Sequence, residues 1–263
     1  MKAEINGFML AYSDRGKGLP LILIHGFPLS RKMWRPQAEA LAKAGCRVIA
    51  PDLRGCGESG LPSGPVNMDT YGDDIVALMD HLGIDKAVVG GMSMGGYVLL
   101  NLLERYPQRV AAPIFMVTKA GGDDDAGKLR RTALAELCRA QGSLPVAEAF
   151  RNLLFAPETL NDKPELVEEV FGWMRATDPE GAAAALLAMR DRKDCIPLLG
   201  SFSQPALVIG ADQDQAIPVE NSRFIAEGLP DADLCILHGG GHMVNLEQPT
   251  GLNQAILEFL ADL

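Results

Sequence analysis

Gly91-Met92-Ser93-Met94-Gly95-Gly96 is the stretch that decides the fold of this chain. A short apolar segment, 86–90, precedes it, and residues 97–106 have the pattern of a buried helix. Gly-x-Ser-x-Gly between a strand and a helix is typical of a nucleophile elbow, a turn too tight for side chains on its flanks. Glycine at both flanks satisfies that demand. The pattern predicts Ser93 as a nucleophile, with a glycine-rich turn that holds a serine by chance as the alternative.

The composition is that of an ordinary soluble globule. The chain has 263 residues, of which 48% are apolar and 22% charged, and this length suits one large α/β domain or a core with an inserted subdomain. The formal net charge of −10, with lysine and arginine scattered, argues against nucleic acid and anionic membranes as partners.

The cysteines and the N-terminus indicate the compartment. Five cysteines are widely spaced and form no Cys-x-x-Cys pair, which predicts neither a disulfide framework nor a zinc site. The first residues lack the apolar core of a signal peptide, and no apolar run approaches the length of a membrane span. We therefore expect a reduced, cytoplasmic location.

Strand-like and helix-like segments alternate through the first half of the chain, which predicts a mostly parallel sheet with helices on both faces. From about 119 to 203 the pattern is almost entirely helical, and strands resume only at 205–210 and 234–237. We expect an α/β core, 1–118 and 204–263, with a helical cap, 119–203, inserted into it. The predicted strands of the first half are 8–12, 21–24, 46–50, 86–90 and 110–117, and the predicted helices of the core are 31–44, 71–82, 97–106 and 252–260.

A nucleophilic serine needs a base within hydrogen-bond reach, and four histidines are available. His81 ends a surface helix, and His25 follows a strand, where it is expected to brace a loop. His242 is favoured as the base because the preceding glycines, 239–241, let its loop swing back over the sheet. His238, beside the last strand, remains the alternative.

A carboxylate should orient the base, in the chain order Ser, Asp, His. The loop after the strand 205–210 supplies two candidates. Asp214 lies deeper in the loop and is favoured, while Asp212 stays open, and either one could serve only in turn formation.

Backbone N–H groups should hold a tetrahedral oxyanion. The amide of Met94, at the start of the elbow helix, is the first expected donor. The second should come from the loop 25–28, where Phe27 is favoured because Pro28 has no N–H.

One motif imitates a dinucleotide site. The loop 55–60 contains G-x-G-x-x-G, but such a site requires a helix that opens on the loop. Pro62, Gly64 and Pro65 follow instead, so we expect no NAD there. Cys56 in the same loop lacks a base and is a poor candidate nucleophile.

Five motifs together resemble the α/β-hydrolase fold family over nearly the whole chain. Two departures are Cys56, where an aromatic residue or histidine is usual, and a spacing from Gly210 to Asp214 that is one residue longer than common. The motifs are His25-Gly26-Phe27-Pro28, which resembles the oxyanion loop, Pro51-Asp52-Leu53-Arg54-Gly55-Cys56-Gly57-Glu58-Ser59, the elbow, Asp214-Gln215-Ala216-Ile217-Pro218 and Gly241-His242-Met243-Val244-Asn245-Leu246-Glu247-Gln248-Pro249.

The resemblance implies an activity. Ser93 argues against the haloalkane dehalogenases and epoxide hydrolases of the family, whose nucleophile is aspartate. The chain is most similar to small carboxylesterases, 3-oxoadipate enol-lactonase-like proteins and cofactor-free haloperoxidase-like perhydrolases, and the segment 174–186 resembles the last cap helix of the lactonase-like group. This implies hydrolysis of a small ester or lactone without metal or organic cofactor, by a monomer or homodimer. A C–C bond hydrolase or a cofactor-free perhydrolase with the same triad, and a non-catalytic binding protein, are the alternatives.

The substrate pocket is expected between the sheet edge and the cap. The apolar residues near the motifs favour an acyl group of short to medium length and not a highly charged substrate. Arg175, Arg190 and Lys193 of the cap could form a basic pocket but are expected to face water. Besides Phe27, the candidates for lining are Leu29, Trp34, Met92, Met116, Phe155, Trp173, Met189 and Val244.

Overall fold

An eight-stranded sheet runs through the molecule, as seen in a computed structural model that describes residues 1–263. The strand order is β1-β2-β4-β3-β5-β6-β7-β8, in which β2 pairs with β1 and β4 antiparallel and the other pairs are parallel. The predicted α/β fold with a mostly parallel sheet is confirmed. The strands are β1 Lys2–Ile5, β2 Phe8–Gly16, β3 Leu19–Ile24, β4 Cys46–Pro51, β5 Ala87–Met92, β6 Val110–Met116, β7 Ala206–Ala211 and β8 Ala232–Leu237.

Helices cover both faces of the sheet. None of them combines the length and the apolar character needed to cross a membrane. The helices are α1 Arg35–Lys43, α2 Met68–His81, α3 Met94–Arg105, α4 Asp125–Gln141, α5 Leu144–Arg151, α6 Pro157–Asp162, α7 Pro164–Arg175, α8 Pro179–Arg190, α9 Glu220–Gly228, α10 Val244–Glu247 and α11 Pro249–Ala261.

Alternation along the central strands creates two hydrophobic cores. In β3, Ile22 and Ile24 belong to one core and Leu21 and Leu23 to the other, because successive side chains point to opposite faces. The first core receives α2, α3 and α9, and the second receives α1 and α11. The near-continuous apolar runs of the parallel strands follow from burial on both sides.

The N-terminal hairpin was absent from the sequence prediction. β1 pairs with β2 in a register that places Ile5 opposite Phe8. Asn6 and Gly7 join them with φ of 47° and 80°, the combination that a type I′ turn requires. Asn-Gly is a hairpin signal, so the sequence held the information. The predicted helix 31–44 also differs, because residues Arg31–Trp34 form a 3-10 turn before α1 begins.

The helices α4 to α8 lie between β6 and β7, and no strand interrupts them. Asp124 directly precedes α4, and its carboxylate accepts the Gly127 N–H at 2.7 Å. Asp178 directly precedes α8, and its carboxylate accepts the Gly181 N–H at 2.8 Å. These are N-caps, in which a carboxylate accepts an N–H of the first helical turn that has no partner within the helix. The segment also bonds to the core, where the Thr177 hydroxyl donates to the Pro28 carbonyl oxygen at 3.0 Å.

The turn between β5 and α3 brings backbones into close contact. A methyl group on Gly91 would overlap the Gly95 carbonyl, and one on Gly95 would overlap the Ile24 carbonyl at the end of β3. Gly96 faces the Thr118 side chain just as closely. All three positions therefore exclude any side chain, as the elbow pattern predicts.

We expect Gly95→Ala to destabilise the fold by about 3 kcal/mol, because its methyl group would meet backbone atoms that cannot move aside. Gly172→Ala is the matched control, since Gly172 lies inside α7 with nothing within 4 Å of an added methyl group. Alanine there should stabilise the helix by about 0.5–1 kcal/mol. Urea unfolding measures both changes, and equal stability of the two variants would contradict the steric account.

Candidate active site

Ser93 lies between β5 and α3 in a strained backbone conformation. Its φ of 54° and ψ of −115° are rare for a residue with a side chain. Two hydrogen bonds to the end of β6 stabilise it: the Ser93 N–H donates to the Met116 carbonyl at 3.0 Å, and the Thr118 hydroxyl donates to the Ser93 carbonyl at 2.8 Å. Strain of about 1–3 kcal/mol at such a position persists only where the surroundings enforce it.

His242 and Asp214 form a buried pair. Nδ1 of His242 lies 2.7 Å from Oδ2 of Asp214, and the side chains are 4% and 0% exposed. The other carboxylate oxygen, Oδ1, accepts the N–H groups of Ala216 at 2.8 Å and Ile217 at 2.9 Å. The carboxylate is therefore fixed at both oxygens, and Nε2 is the ring nitrogen of His242 that remains for other partners.

A second Asp–His pair lies at the surface close by. Nδ1 of His238 lies 2.8 Å from Oδ2 of Asp212, and the His238 side chain is 82% exposed. The two aspartates that the sequence left open thus go to different histidines. The structure places Asp214 with His242 and pairs Asp212 with the other candidate base, His238.

Two backbone N–H groups near Ser93 have no acceptor in the protein. One belongs to Met94, the first residue of α3, and the other to Phe27, in the loop after β3. The first N–H groups of a helix lack intrahelical partners and carry the positive end of its dipole. Both predicted oxyanion donors are therefore free to bind a negatively charged oxygen.

His25 braces the loop that carries Phe27, as the sequence predicted. Nε2 accepts the Leu53 N–H at 3.0 Å, and Nδ1 lies 2.8 Å from the Gly26 carbonyl oxygen. Burial lowers the pKa of this imidazole, with a partial offset from Asp52. The ring is therefore a neutral structural group at physiological pH.

The G-x-G-x-x-G loop is also structural. No helix opens on it, because α2 begins only at Met68. The Asp52 carboxylate accepts the Glu58 N–H at 2.9 Å and the Arg31 N–H at 2.7 Å, which holds the loop in place. Burial raises the pKa of the Cys56 thiol to about 12, so this cysteine is not a reactive thiolate.

A cavity of about 330 Å³ brings the candidate residues together, since Ser93, His242 and Phe27 all line it. Of the eight other side chains predicted to line the pocket, only Met189 does so. Trp34, Met92, Met116, Phe155 and Val244 are instead core residues that pack against the sheet, and Leu29 and Trp173 line a separate cleft beside Asp52.

The cavity walls come mostly from residues 119–189, and of these the sequence predicted only Met189. Four charged side chains are among them: Lys119, Asp123, Arg130 and Arg131. Lys119 follows β6 at the carboxyl edge of the sheet, where ligands of parallel sheets bind, and that position could have identified it. The apolar part of the wall consists of Tyr97, Leu134, Ala149, Phe150, Leu153, Leu186, Met189, Ala216 and Ile217.

Glu247 ties the histidine loop to the cap. Its buried carboxylate accepts the Gly241 N–H at 2.9 Å and the Ala156 N–H at 2.8 Å. Burial raises its pKa, and the bonds from Ala156, Thr159 and Gly241 offset part of that rise. The Met243 N–H also donates to the Leu154 carbonyl at 2.8 Å, so both neighbours of His242 are held by backbone hydrogen bonds.

No group of three or more His, Cys, Asp or Glu side chains is arranged to hold a metal ion. The cavity instead holds Ser93, a histidine hydrogen-bonded to the Asp214 carboxylate, and the three cationic side chains named above. Residues 20–249 match the family described as alpha/beta hydrolase fold. This chain belongs to the α/β-hydrolase fold family.

Relatives within the family have several activities. The chain is 34% identical to 3-oxoadipate enol-lactonase 2 of Acinetobacter baylyi, over 90% of this chain and 86% of that protein. Among solved structures it is similar to a thermophilic esterase from Thermogutta terrifontis with malate bound, at 37% identity and a TM-score of 0.96 over 100% and 98% of the two chains. It is also similar to a bromoperoxidase from Bacillus anthracis, at 27% identity and a TM-score of 0.89 over 99% of each chain.

We expect Glu247→Ala to lower the free energy of unfolding by about 1–3 kcal/mol, because it leaves the buried N–H groups of Gly241 and Ala156 without their acceptor. Glu258→Ala is the matched control, since Glu258 is an exposed glutamate on α11 and its loss should change stability by less than about 0.5 kcal/mol. Thermal and urea unfolding measure both. A Glu247 variant as stable as the control would show that the carboxylate does not secure the loop.

Proposed function

We propose that this chain is a serine hydrolase that cleaves small carboxylic esters or lactones through an acyl-enzyme. The observation that carries the proposal is the convergence of Ser93 and the buried His242–Asp214 pair at one cavity. A histidine held by a carboxylate at Nδ1 has Nε2 available to accept the proton of a serine hydroxyl. The esterase and enol-lactonase relatives support the substrate class.

The first half of the reaction forms the acyl-enzyme. His242 takes the proton of the Ser93 hydroxyl as its oxygen attacks the substrate carbonyl carbon. The Phe27 and Met94 N–H groups bind the oxyanion of the tetrahedral intermediate, each typically worth about 3–4 kcal/mol. The intermediate collapses, the ester C–O bond breaks, and protonated His242 gives its proton to the departing alkoxide. With a lactone, the alcohol stays attached to the acyl chain.

The second half releases the acid. A water molecule loses a proton to His242 and attacks the acyl carbon, and the same two N–H groups bind the new oxyanion. Breakage of the acyl–Ser93 bond returns the proton to the serine oxygen and frees the carboxylic acid. Asp214 holds the imidazole in the required tautomer throughout and stabilises its protonated form.

A cofactor-free perhydrolase is the second candidate, favoured by the likeness to the bromoperoxidase. It would use the same acyl-enzyme, with hydrogen peroxide in place of water as the attacking group, and would release a peracid. Turnover of one acyl-enzyme with and without added peroxide, with peracid and acid quantified, compares the two acceptors.

We expect Ser93→Ala to lower kcat for 4-nitrophenyl acetate by at least about 10⁴-fold, because the covalent step loses its nucleophile. A fluorophosphonate probe should label Ser93 of the wild type, as located by peptide mass spectrometry, and should leave the variant unlabelled. Retained turnover in a folded Ser93→Ala protein would overturn the proposal.

The two Asp–His pairs provide an internal comparison. Asp214→Asn should lower kcat by about 10³–10⁴-fold, since asparagine favours the wrong imidazole tautomer. Asp212→Asn removes the surface pair, and we expect its kcat to stay within about twofold of wild type because its partner is solvated. Steady-state kinetics on one ester decides this, and a larger loss in the Asp212 variant would reverse the assignment.

A further inference from the structure

The charge of the cavity wall is unbalanced. Lys119, Arg130 and Arg131 contribute three positive charges and Asp123 the only negative one among the residues that line it. The chain as a whole carries a formal charge of −10. A positively charged cavity in a negatively charged protein creates a local positive electrostatic potential, which attracts anions to the cavity.

Asp123 cannot balance these cations because a buried arginine also shares it. Its Oδ1 accepts from Arg192 at 2.7 Å and from Lys119 at 3.3 Å, while Oδ2 accepts from Arg131. Burial alone would raise the pKa of Asp123, but the hydrogen bonds from Arg192 and Arg131 hold this pKa well below its usual range. One carboxylate therefore faces three cations.

Arg192 is not available to a ligand. It is 3% exposed, donates to the Met189 carbonyl at 2.6 Å and the Gly121 carbonyl at 2.9 Å, and its guanidinium lies 4.2 Å from the centre of the Tyr97 ring. It supports the wall from behind. The surplus charge therefore belongs to the three side chains that face the cavity.

Lys119 has donors to spare. Its ammonium makes a single hydrogen bond, to Asp123, and can donate two more. Burial, followed by the charge of Arg192, lowers its pKa, which Asp123 only partly offsets. Lys119 also follows Thr118, whose hydroxyl donates to the Ser93 carbonyl, so its backbone lies next to the nucleophile. An anion there would relieve the positive charge around it.

Arg130 has no carboxylate partner within the protein, since it takes part in no ion pair. Along α4 the residues on the cavity are Gly127, Arg130, Arg131 and Leu134, at the spacing i, i+3, i+4 and i+7. That spacing marks one face of a helix. On this face Arg130 is exposed and Arg131 is half-buried, and both line the cavity, so an anion bound there could accept hydrogen bonds from them.

We propose that the cavity selects esters or lactones whose acyl part carries a carboxylate, which Lys119, Arg130 and Arg131 bind while Ser93 attacks the other carbonyl. The substrate class rests on the proposed function of Ser93. Apolar side chains that line the same cavity, among them Phe150 and Met189, suit a short methylene spacer. This proposal differs from the expectation, based on the apolar candidates, that the pocket does not favour a highly charged substrate.

The cationic residues named from the sequence do not take this role. Arg190 pairs with Asp191 at 2.7 Å, and Lys193 pairs with Glu104 on the surface. Arg175 is exposed, and none of the three lines the cavity with Ser93. Recognition of an acyl carboxylate thus depends on Lys119 and the start of α4.

The test compares 4-nitrophenyl hydrogen glutarate with its methyl ester, which differ in charge and little in size. We expect the wild type to have a kcat/KM about tenfold or more higher for the monoanion, mainly through a lower KM. Lys119→Met and Arg130→Gln should each reduce the ratio of the two kcat/KM values by at least about fivefold. Lys128→Met, an exposed lysine of α4 away from the cavity, is the matched control and should keep the wild-type ratio.

A binding measurement separates this proposal from the proposed function. Calorimetric titration of glutarate into the Ser93→Ala protein needs no turnover. We expect this protein to bind glutarate and not glutaramide. Addition of the Lys119→Met substitution to it should weaken the binding of glutarate. Equal kcat/KM for monoanion and methyl ester in the wild type, or a ratio unchanged in both cavity variants, would overturn the carboxylate site even with full esterase activity. Glutarate binding without any ester turnover would overturn the proposed function and leave the site standing.

Discussion

The close packing of the Ser93 turn against the ends of its neighbouring strands is the constraint on which the rest of the site depends. Gly95 lies against the Ile24 carbonyl at the end of β3, so α3 can leave the sheet only along one path. Ser93, at the start of that path, lines the cavity together with Phe27 and His242. Hydrogen bonds with Met116 and Thr118 then hold the strained backbone of Ser93, so the end of β6 fixes the position of this serine.

The candidate base is held as firmly, but by the cap. Glu247 accepts N–H groups from the histidine loop at Gly241 and from the segment between α5 and α6 at Ala156. A second bond, from Met243 to Leu154, joins the same two segments. The segment between β6 and β7 therefore does more than line the cavity, because hydrogen bonds at Ala156 and Leu154 also hold the loop of His242.

Much of the fold and of the candidate triad could be predicted from the sequence, since both depend on local chemistry. The elbow glycines and the loops that follow the strands are short-range sequence patterns. Ser93, Asp214 and His242 come after different strands, and parallel strands bring their ends to one edge of the sheet. The sequence prediction lacked the β1–β2 hairpin, although Asn6-Gly7 is a typical sequence for a hairpin turn. The choice between Asp212 and Asp214 needed coordinates, because both follow β7 and each meets a histidine.

The pocket lining could not be predicted in the same way. Met92 and Met116 lie close to the motifs in sequence, yet parallel strands are buried on both faces and their side chains belong to the core. The walls come from α4, α5 and α8, whose placement depends on contacts far apart in sequence, such as the Thr177 bond to Pro28. Selection of residues close in sequence to the motifs therefore identified core residues and not the residues that line the cavity.

The charges on α4 show how a departure from a local rule can locate function. Arg131 occupies a half-buried position on α4, where desolvation of its charge costs free energy, while Arg130 lines the cavity from an exposed position. Asp123 offsets only part of that cost, because its other oxygen, Oδ1, also accepts from Arg192 and Lys119. Lys119 and Arg131 thus share this one carboxylate, and Arg130 forms no ion pair. A negatively charged ligand would gain from the field that the folded protein leaves uncompensated.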